Sequence, residues 1–536
     1  MRDPGNRFDN ARRFNFLNRL RVFDDTVSRE GDRSDMYRFR TFRQRSFFYA
    51  DLYNLRGDAN IILYNSRRKI VARSIRIGRN PEVIRLGAND DKTPRRPALG
   101  PGVYYLRVFF RGRLRQTPYT LRMSASRAPN PNIDPVRPPR PGDPGSLRPE
   151  LVEDINRGEE SSFPPADLDP VNTGLNFAVL DNTLYFAADD GRDGFELWTS
   201  RGTRSSTRQV EDIFSGDDSS SPSNFTVFND AVYFTATDGR DGFELWKTDG
   251  TSRGTMQVED INRGSADSSP SGLTVVGDSL YFSAFDDRNG RELWRVSTDD
   301  SVSLVANINT RGSSSPSSLV AFDGLLYFAA DDGRDGRELW RSDGTSFGTE
   351  QVDDINRGDE GSSPRELTVV GNRIFFAADD GRDGRELWAF RGGFVNQVSD
   401  INRGIPSSTP RWLTSFDGNL YFSAVGDNGD GRELWVSDGT DSGTEQVADI
   451  DRGSFSSSPA FFTIVNDRLY FSANGDDDGR ELWVTDGTER STQQVADINS
   501  DRGIGANPYN LTAARDRLYF VANDGNDGFE LWRLDV

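Results

Sequence analysis

From Leu151 to the C-terminus, apolar residues fall in short alternating runs that are cut by Asx-Gly and Asp-Gly pairs. In the unit ending at Trp246, Arg208-Gln209-Val210-Glu211-Asp212-Ile213 leads through a Ser-rich stretch to Pro222. Phe225-Thr226-Val227-Phe228 then turns at Asn229-Asp230 into Val232-Tyr233-Phe234-Thr235-Ala236. The loop Asp238-Gly239-Arg240-Asp241-Gly242 carries the chain into Glu244-Leu245-Trp246-Lys247. Alternation with a period of two, bounded by hairpin-type turns, predicts a four-stranded antiparallel meander. No stretch carries a sustained helical period of apolar residues.

The meander is copied. Glu-Leu-Trp ends at Trp198, Trp246, Trp294, Trp340, Trp388, Trp435, Trp483 and Trp532, with spacings of 48, 48, 46, 48, 47, 48 and 49 residues. A four-stranded unit of that length fits a β-propeller blade. The chain enters the array on a Val-x-Asp-Ile strand and leaves it on a Glu-Leu-Trp strand. The last blade therefore lacks its outer strand, which residues 151–156 are expected to supply, closing a ring of eight blades and hiding both sheet edges. Leu and Trp of the motif must face opposite ways, so both are expected to pack between blades. Trp412, outside the motif, is the better candidate for an exposed contact.

Ahead of the array, residues 1–125 alternate in Met36-Tyr37-Arg38-Phe39-Arg40, Ile61-Ile62-Leu63-Tyr64 and Tyr104-Tyr105-Leu106-Arg107-Val108. Turn signals at Arg56-Gly57-Asp58 and Pro101-Gly102 complete the signature of a β-sandwich. Residues 126–150 hold eight prolines and almost nothing apolar, the composition of an extended spacer. The expected domains are thus a sandwich (1–125), a linker (126–150) and a propeller (151–536), in an all-β chain.

Charge separates the two folded parts. Residues 1–125 carry 28 Arg or Lys against 12 Asp or Glu, a net +16, so with −19 overall the remainder carries −35. A basic module tied to an acidic one suits docking of the N-terminal domain to a protein partner or an anionic surface, or plain solvation of a small β-domain. The acidic propeller would repel nucleic acid. No run of 18 apolar residues exists, so no transmembrane helix is expected, and the N-terminus lacks the apolar core of a secretory signal.

The chain has no cysteine and no histidine, which removes disulfides, Ser-His-Asp and Cys-His catalysis and the usual zinc ligands. The most suggestive chemistry lies in the loop before Glu-Leu-Trp. Counting back from Glu, position −2 is always Gly, while positions −3 and −6 are each Asp in seven units. The sets Asp190, Asp193, Glu196; Asp238, Asp241, Glu244; Asp332, Asp335, Glu338; and Asp380, Asp383, Glu386 offer hard oxygen ligands of the kind calcium takes. The alternative is a hairpin turn whose Asp side chains bond local backbone amides. No other cofactor is indicated. Paired acids also serve glycoside hydrolysis, but a catalytic pair would break the repeat, and here the acids are copied evenly.

Two family resemblances follow from these residues. SDMYRFRTFRQRSFFYADLYNL, DANIILYNS, VARSIRIGRNPEVIRL, GVYYLRV and TPYTLRMS, within residues 16–124, resemble the bacterial pre-peptidase C-terminal domain. That resemblance implies a jelly-roll-like sandwich without catalytic activity that accompanies secreted proteins. Glu338-Leu339-Trp340-Arg341-Ser342-Asp343-Gly344-Thr345 and its copies, over residues 151–536, resemble the bacterial ELWxxDGT repeat family, which implies large secreted or surface-attached proteins. Where that family commonly has His, this chain has Asp193, Asp241, Asp335, Asp383, Asp430, Asp478 and Asp527.

The expectation from sequence is a non-enzymatic binding and assembly protein, extracellular or at the cell surface, with polysaccharide among its candidate ligands. An intracellular, cytoplasmic scaffold docked on an acidic partner is the alternative. A carbohydrate-active enzyme with its acids in the propeller channel is the weaker one.

Overall fold

The computed structural model describes strand residues of the N-terminal part, then residues 148–158, 160–164, 176–475, 479–499 and 504–536. Apart from single turns of 3-10 helix, the described residues form strands and loops. No helix among them is long and apolar enough to cross a membrane. The chain divides into two compact units, residues 1–137 and 138–536. Most of the proline-rich stretch lies outside the described residues.

The first unit is a two-sheet β-sandwich. One sheet runs Arg12–Arg13, Ser34–Thr41, Gly102–Phe110, Ala59–Asn65, Ile70–Ser74, and the other Arg21–Ser28, Gln116–Arg127, Ser46–Tyr53, Glu82–Leu86. Alternation sends Tyr37, Ile61, Leu63, Leu106 and Val108 fully inward.

The second unit is the eight-bladed propeller, each blade a four-stranded antiparallel sheet, with the strands of blades 1 to 7 in sequence order. Inner strands of blades 1 to 8 are Ala178–Leu180, Ser223–Phe228, Ser271–Val276, Ser317–Phe322, Arg365–Val370, Arg411–Phe416, Ala460–Val465 and Tyr509–Ala514. Glu-Leu-Trp lies on the third strand of every blade. Glu150–Glu153 pairs antiparallel with Phe529–Asp535 and completes blade 8, with Leu151 opposite Trp532. The ring therefore closes by joining the start of the array to its end.

Leu and Trp do pack between blades, on opposite sides. Leu197 of blade 1 and Trp246 of blade 2 share one buried cluster with Tyr185 and Phe234, whereas Leu245 of blade 2 sits with Phe282 and Trp294 of blade 3. Each blade thus offers its Leu to the following blade and its Trp to the preceding one. Burying such side chains is worth roughly 1.5–3 kcal/mol each, and the seam recurs around the ring.

The Asp-Gly-Thr turn has a local cause. Asp343 accepts from the backbone and hydroxyl of Thr345, and Thr345 Oγ1 accepts from Gly348 N. Gly344, at φ 90°, faces the Tyr281 hydroxyl of the preceding blade closely enough that a β-carbon would collide. Blade 3 replaces the turn: Asp300 there accepts from the Tyr233 hydroxyl and from Lys247 Nζ, each at 2.5 Å.

Candidate functional site

The sequence-predicted acidic triplets are pulled apart by the fold. Asp190 Oδ1 accepts from the backbone amides of Arg192 (3.0 Å) and Asp193 (3.3 Å). Asp238, Asp332 and Asp380 do the same with the amides of Arg240 and Asp241, Arg334 and Asp335, and Arg382 and Asp383. These carboxylates close their own turns.

Glu196, Glu244, Glu338 and Glu386 point elsewhere and are 0% exposed, as are Glu292, Glu433, Glu481 and Glu530. Glu196 accepts from Ile213 N (2.8 Å), Ser220 N (2.8 Å) and Ser220 Oγ (2.6 Å). Glu386 accepts likewise from Ile401 and Ser408. Each glutamate thereby fastens the loop that carries the chain to the next blade. The Val-x-Asp-Ile strands stop early because the Ile amide bonds this glutamate rather than the ladder. In blade 8 the same bonds reach Ile155 and Ser162 and lock the ring shut.

Among the described residues, no three acidic side chains stand together closely enough to hold a metal ion. Burial pushes all eight glutamate carboxyls up, against the pull of the serine and amide bonds. They rise to about 7 at Glu244, Glu386, Glu433 and Glu481, and to about 8 at Glu530.

The eightfold pattern breaks one residue earlier. The position before Glu is Phe529, Phe195 and Phe243 in blades 8, 1 and 2, but Arg291, Arg337, Arg385, Arg432 and Arg480 in blades 3 to 7. Strand alternation turns this residue away from the buried glutamate, toward the entrance of the inner strand. Arg291 Nη1 donates to the carbonyls of Ser269 (2.9 Å) and Ser283 (3.4 Å). Arg385 reaches Ser363 and Ala377, and Arg480 reaches Ser458 and Ser472, in the same way. Arg337 bonds the carbonyls of Ser314 and Ser315 and Ser317 Oγ.

Among the described residues none of the five arginines forms an ion pair within 4.0 Å. Burial pulls their guanidinium pKa values down, to about 10 at Arg432 and Arg480, so all five stay charged at neutral pH.

A cleft of about 550 Å³ opens at the mouth of the axial channel on blades 2 to 5. Arg291, Arg337 and Arg365 reach into it beside Ser271, Ser317 and Phe243. Arg365, exposed on the inner strand of blade 5, lowers the pKa values of Arg337 and Arg385 by like-charge repulsion. An otherwise acidic propeller therefore carries a cationic arc at one mouth of its channel.

Sequence reasoning missed this arc. Its signal was present as the Phe/Arg alternation at position −1, hidden beside the conspicuous acids. Trp412, singled out in sequence, is half-buried and lines a second cavity further along the channel.

Neither a protein-family model nor a curated protein sequence matches the chain. Among solved structures, the chain is similar to the pre-peptidase C-terminal domain of a collagenase from Bacillus anthracis, at 15% identity over 22% of this chain and 93% of that one, TM-score 0.16. It is also similar to the β-propeller domain of the trilobed protease from Pyrococcus furiosus, at 13% identity over 59% and 95%, TM-score 0.35. A puromycin-hydrolyzing peptidase from Mycobacterium tuberculosis is similar at 10% identity over 70% and 63%, TM-score 0.41, so this chain spans less than two thirds of that peptidase.

Likeness of this degree concerns architecture, a sandwich and a propeller. It corrects the expectation of a non-catalytic surface binding and assembly protein, together with its scaffold and carbohydrate-enzyme alternatives. The solved structures to which the chain is similar are a protease's β-propeller domain and a puromycin-hydrolyzing peptidase, and the likeness extends to architecture alone.

Proposed function

We propose that the propeller recognises an anionic group, a carboxylate or a phosphate at the end of a small molecule or chain, at the arginine-bearing mouth of its axial channel. The observation that carries this reading is the break in the repeat. Phe fills position −1 in three blades of the same ring, so bracing the inner strand does not require a charge there. Taking a guanidinium out of water without an ion pair is costly, and the arc carries such an arginine, half-buried in four blades and buried at Arg480, on five adjacent blades. Planar guanidinium groups converging on an open cleft are suited to paired hydrogen bonds with carboxylate or phosphate oxygens.

The test is calorimetric titration of the full chain with inorganic phosphate and with N-acetyl-alanine, at low and at high salt. Binding is expected to weaken as salt rises. It should be lost in Arg365→Glu, and kept in Arg208→Glu on the outer strand of blade 1. Equal binding in both variants would contradict the assignment to the mouth.

A further inference from the structure

The inner strands of blades 2 to 8 share a bulge whose residue sits in the left-handed region: Asn224, Gly272, Ser318, Glu366, Trp412, Phe461 and Asn510, at φ 53–67°. That conformation suits Gly and Asn and is disfavoured for bulky side chains. Two of these blades use Asn and one uses Gly. Blades 6 and 7 instead hold Trp412 and Phe461 there, next to Glu366 of blade 5, although Asn serves the same bulge in blades 2 and 8.

The strained side chains converge. The Trp412 and Phe461 rings lie 4.4 Å apart, tilted at 47°. With Glu366, Asn176 and Asn510 they line a cavity of about 220 Å³. The arginine cleft and this cavity lie on either side of one point of blade 5, where the consecutive residues Arg365 and Glu366 line the cleft and the cavity respectively. Ser318 Oγ, at the rim of the cleft, accepts from Glu366 N at 3.3 Å.

Strain retained on adjacent blades, at a position where the fold accepts Asn, marks side chains kept for what they present to the channel. Aromatic faces offer stacking to a planar ring.

We infer that the channel holds a ring subsite, formed by Trp412 and Phe461, beside the anion site, and that its ligand is a carboxylate bearing an aromatic ring. This rests on the anion reading above and narrows it to a ligand class.

The test compares N-acetyl-phenylalanine, N-acetyl-alanine and N-acetyl-phenylalanine amide by calorimetry on the full chain. The ring-bearing acid should bind about tenfold tighter than N-acetyl-alanine, and the amide should bind weakly. Trp412→Asn should erase the tenfold difference between the two acids, while Trp412→Phe should keep most of it. Equal affinity of the two acids for the unaltered protein would overturn the ring subsite and leave the anion site standing. Binding of neither acid would overturn both. A Trp412→Asn variant that keeps the full difference would place the ring elsewhere.

Discussion

Arg337 and Glu338 are neighbours on one strand, yet they belong to two regions that repeat differently around the ring. Glu338 faces the inter-blade loop and has a counterpart in every blade, with Ile and Ser donors repeated around the ring and only Ala506 standing in for a Ser. Arg337 faces the channel mouth, where the ring splits into a cationic arc and a phenylalanine arc. Elements copied eight times build and close the propeller. Elements that break the count are where we propose that the propeller meets its ligand.

The sharpest way to break this comparison is to remove a copied glutamate. Glu338→Ala orphans the amides of Ile355, Asn356 and Ser362 and the Ser362 hydroxyl. It should cost about 3–5 kcal/mol of stability, measured by denaturant unfolding. Loss of under about 1 kcal/mol would show that the network is dispensable.

The second effect is on pH dependence. The eight glutamates have folded-state pKa values raised above the unfolded value, so the folded state binds more protons than the unfolded one. Their contribution is full below the usual carboxylate range and is lost as pH rises through the folded-state values, which are about 7 at Glu244, Glu386, Glu433 and Glu481 and about 8 at Glu530. Each group adds a slope of up to about 1.4 kcal/mol per pH unit in that window. Asp249 and Asp343, held low by their Thr251 and Thr345 bonds, act in the opposite direction at more acidic pH. Unfolding free energy should therefore rise from pH 8 to pH 5.5, and a flat profile would contradict ionisable glutamates in the core.

A smaller effect is expected from chelation. Asp190, Asp238, Asp332 and Asp380 each turn one carboxylate oxygen onto the amides of their own turn, so EDTA should move Tm by less than about 1 °C. A larger drop, reversed by calcium, would return Asp190, Asp193 and their copies to a metal-binding role.

The fold was legible in the sequence because each blade carries its own punctuation: alternating runs, Asx-Gly turns and the unpaired first strand that closes the ring. The opposed packing of Leu197 and Trp246 followed from strand alternation alone. The site was not legible in the same way. Acids grouped in sequence looked like ligands, but one strand residue between Gly194 and Glu196 sends the glutamate into the core and leaves Asp190 at the surface turn. The arginines looked like solvation in an Arg-rich chain, because nothing local distinguishes Arg337, which caps buried carbonyls, from Arg341, which pairs with Glu350 in solvent. Only the ring brings Arg291, Arg337 and Arg365 to one cleft.

The most direct test of the account pairs the two neighbours. Stability and N-acetyl-alanine binding would be measured for Glu338→Ala and for Arg337→Phe, the latter installing the residue that blades 8, 1 and 2 already carry. The account predicts that Arg337→Phe unfolds within about 1 kcal/mol of the unaltered protein while binding about tenfold more weakly. An Arg337→Phe protein that binds normally but is as unstable as Glu338→Ala would contradict it, making the arginine arc a brace for the ring.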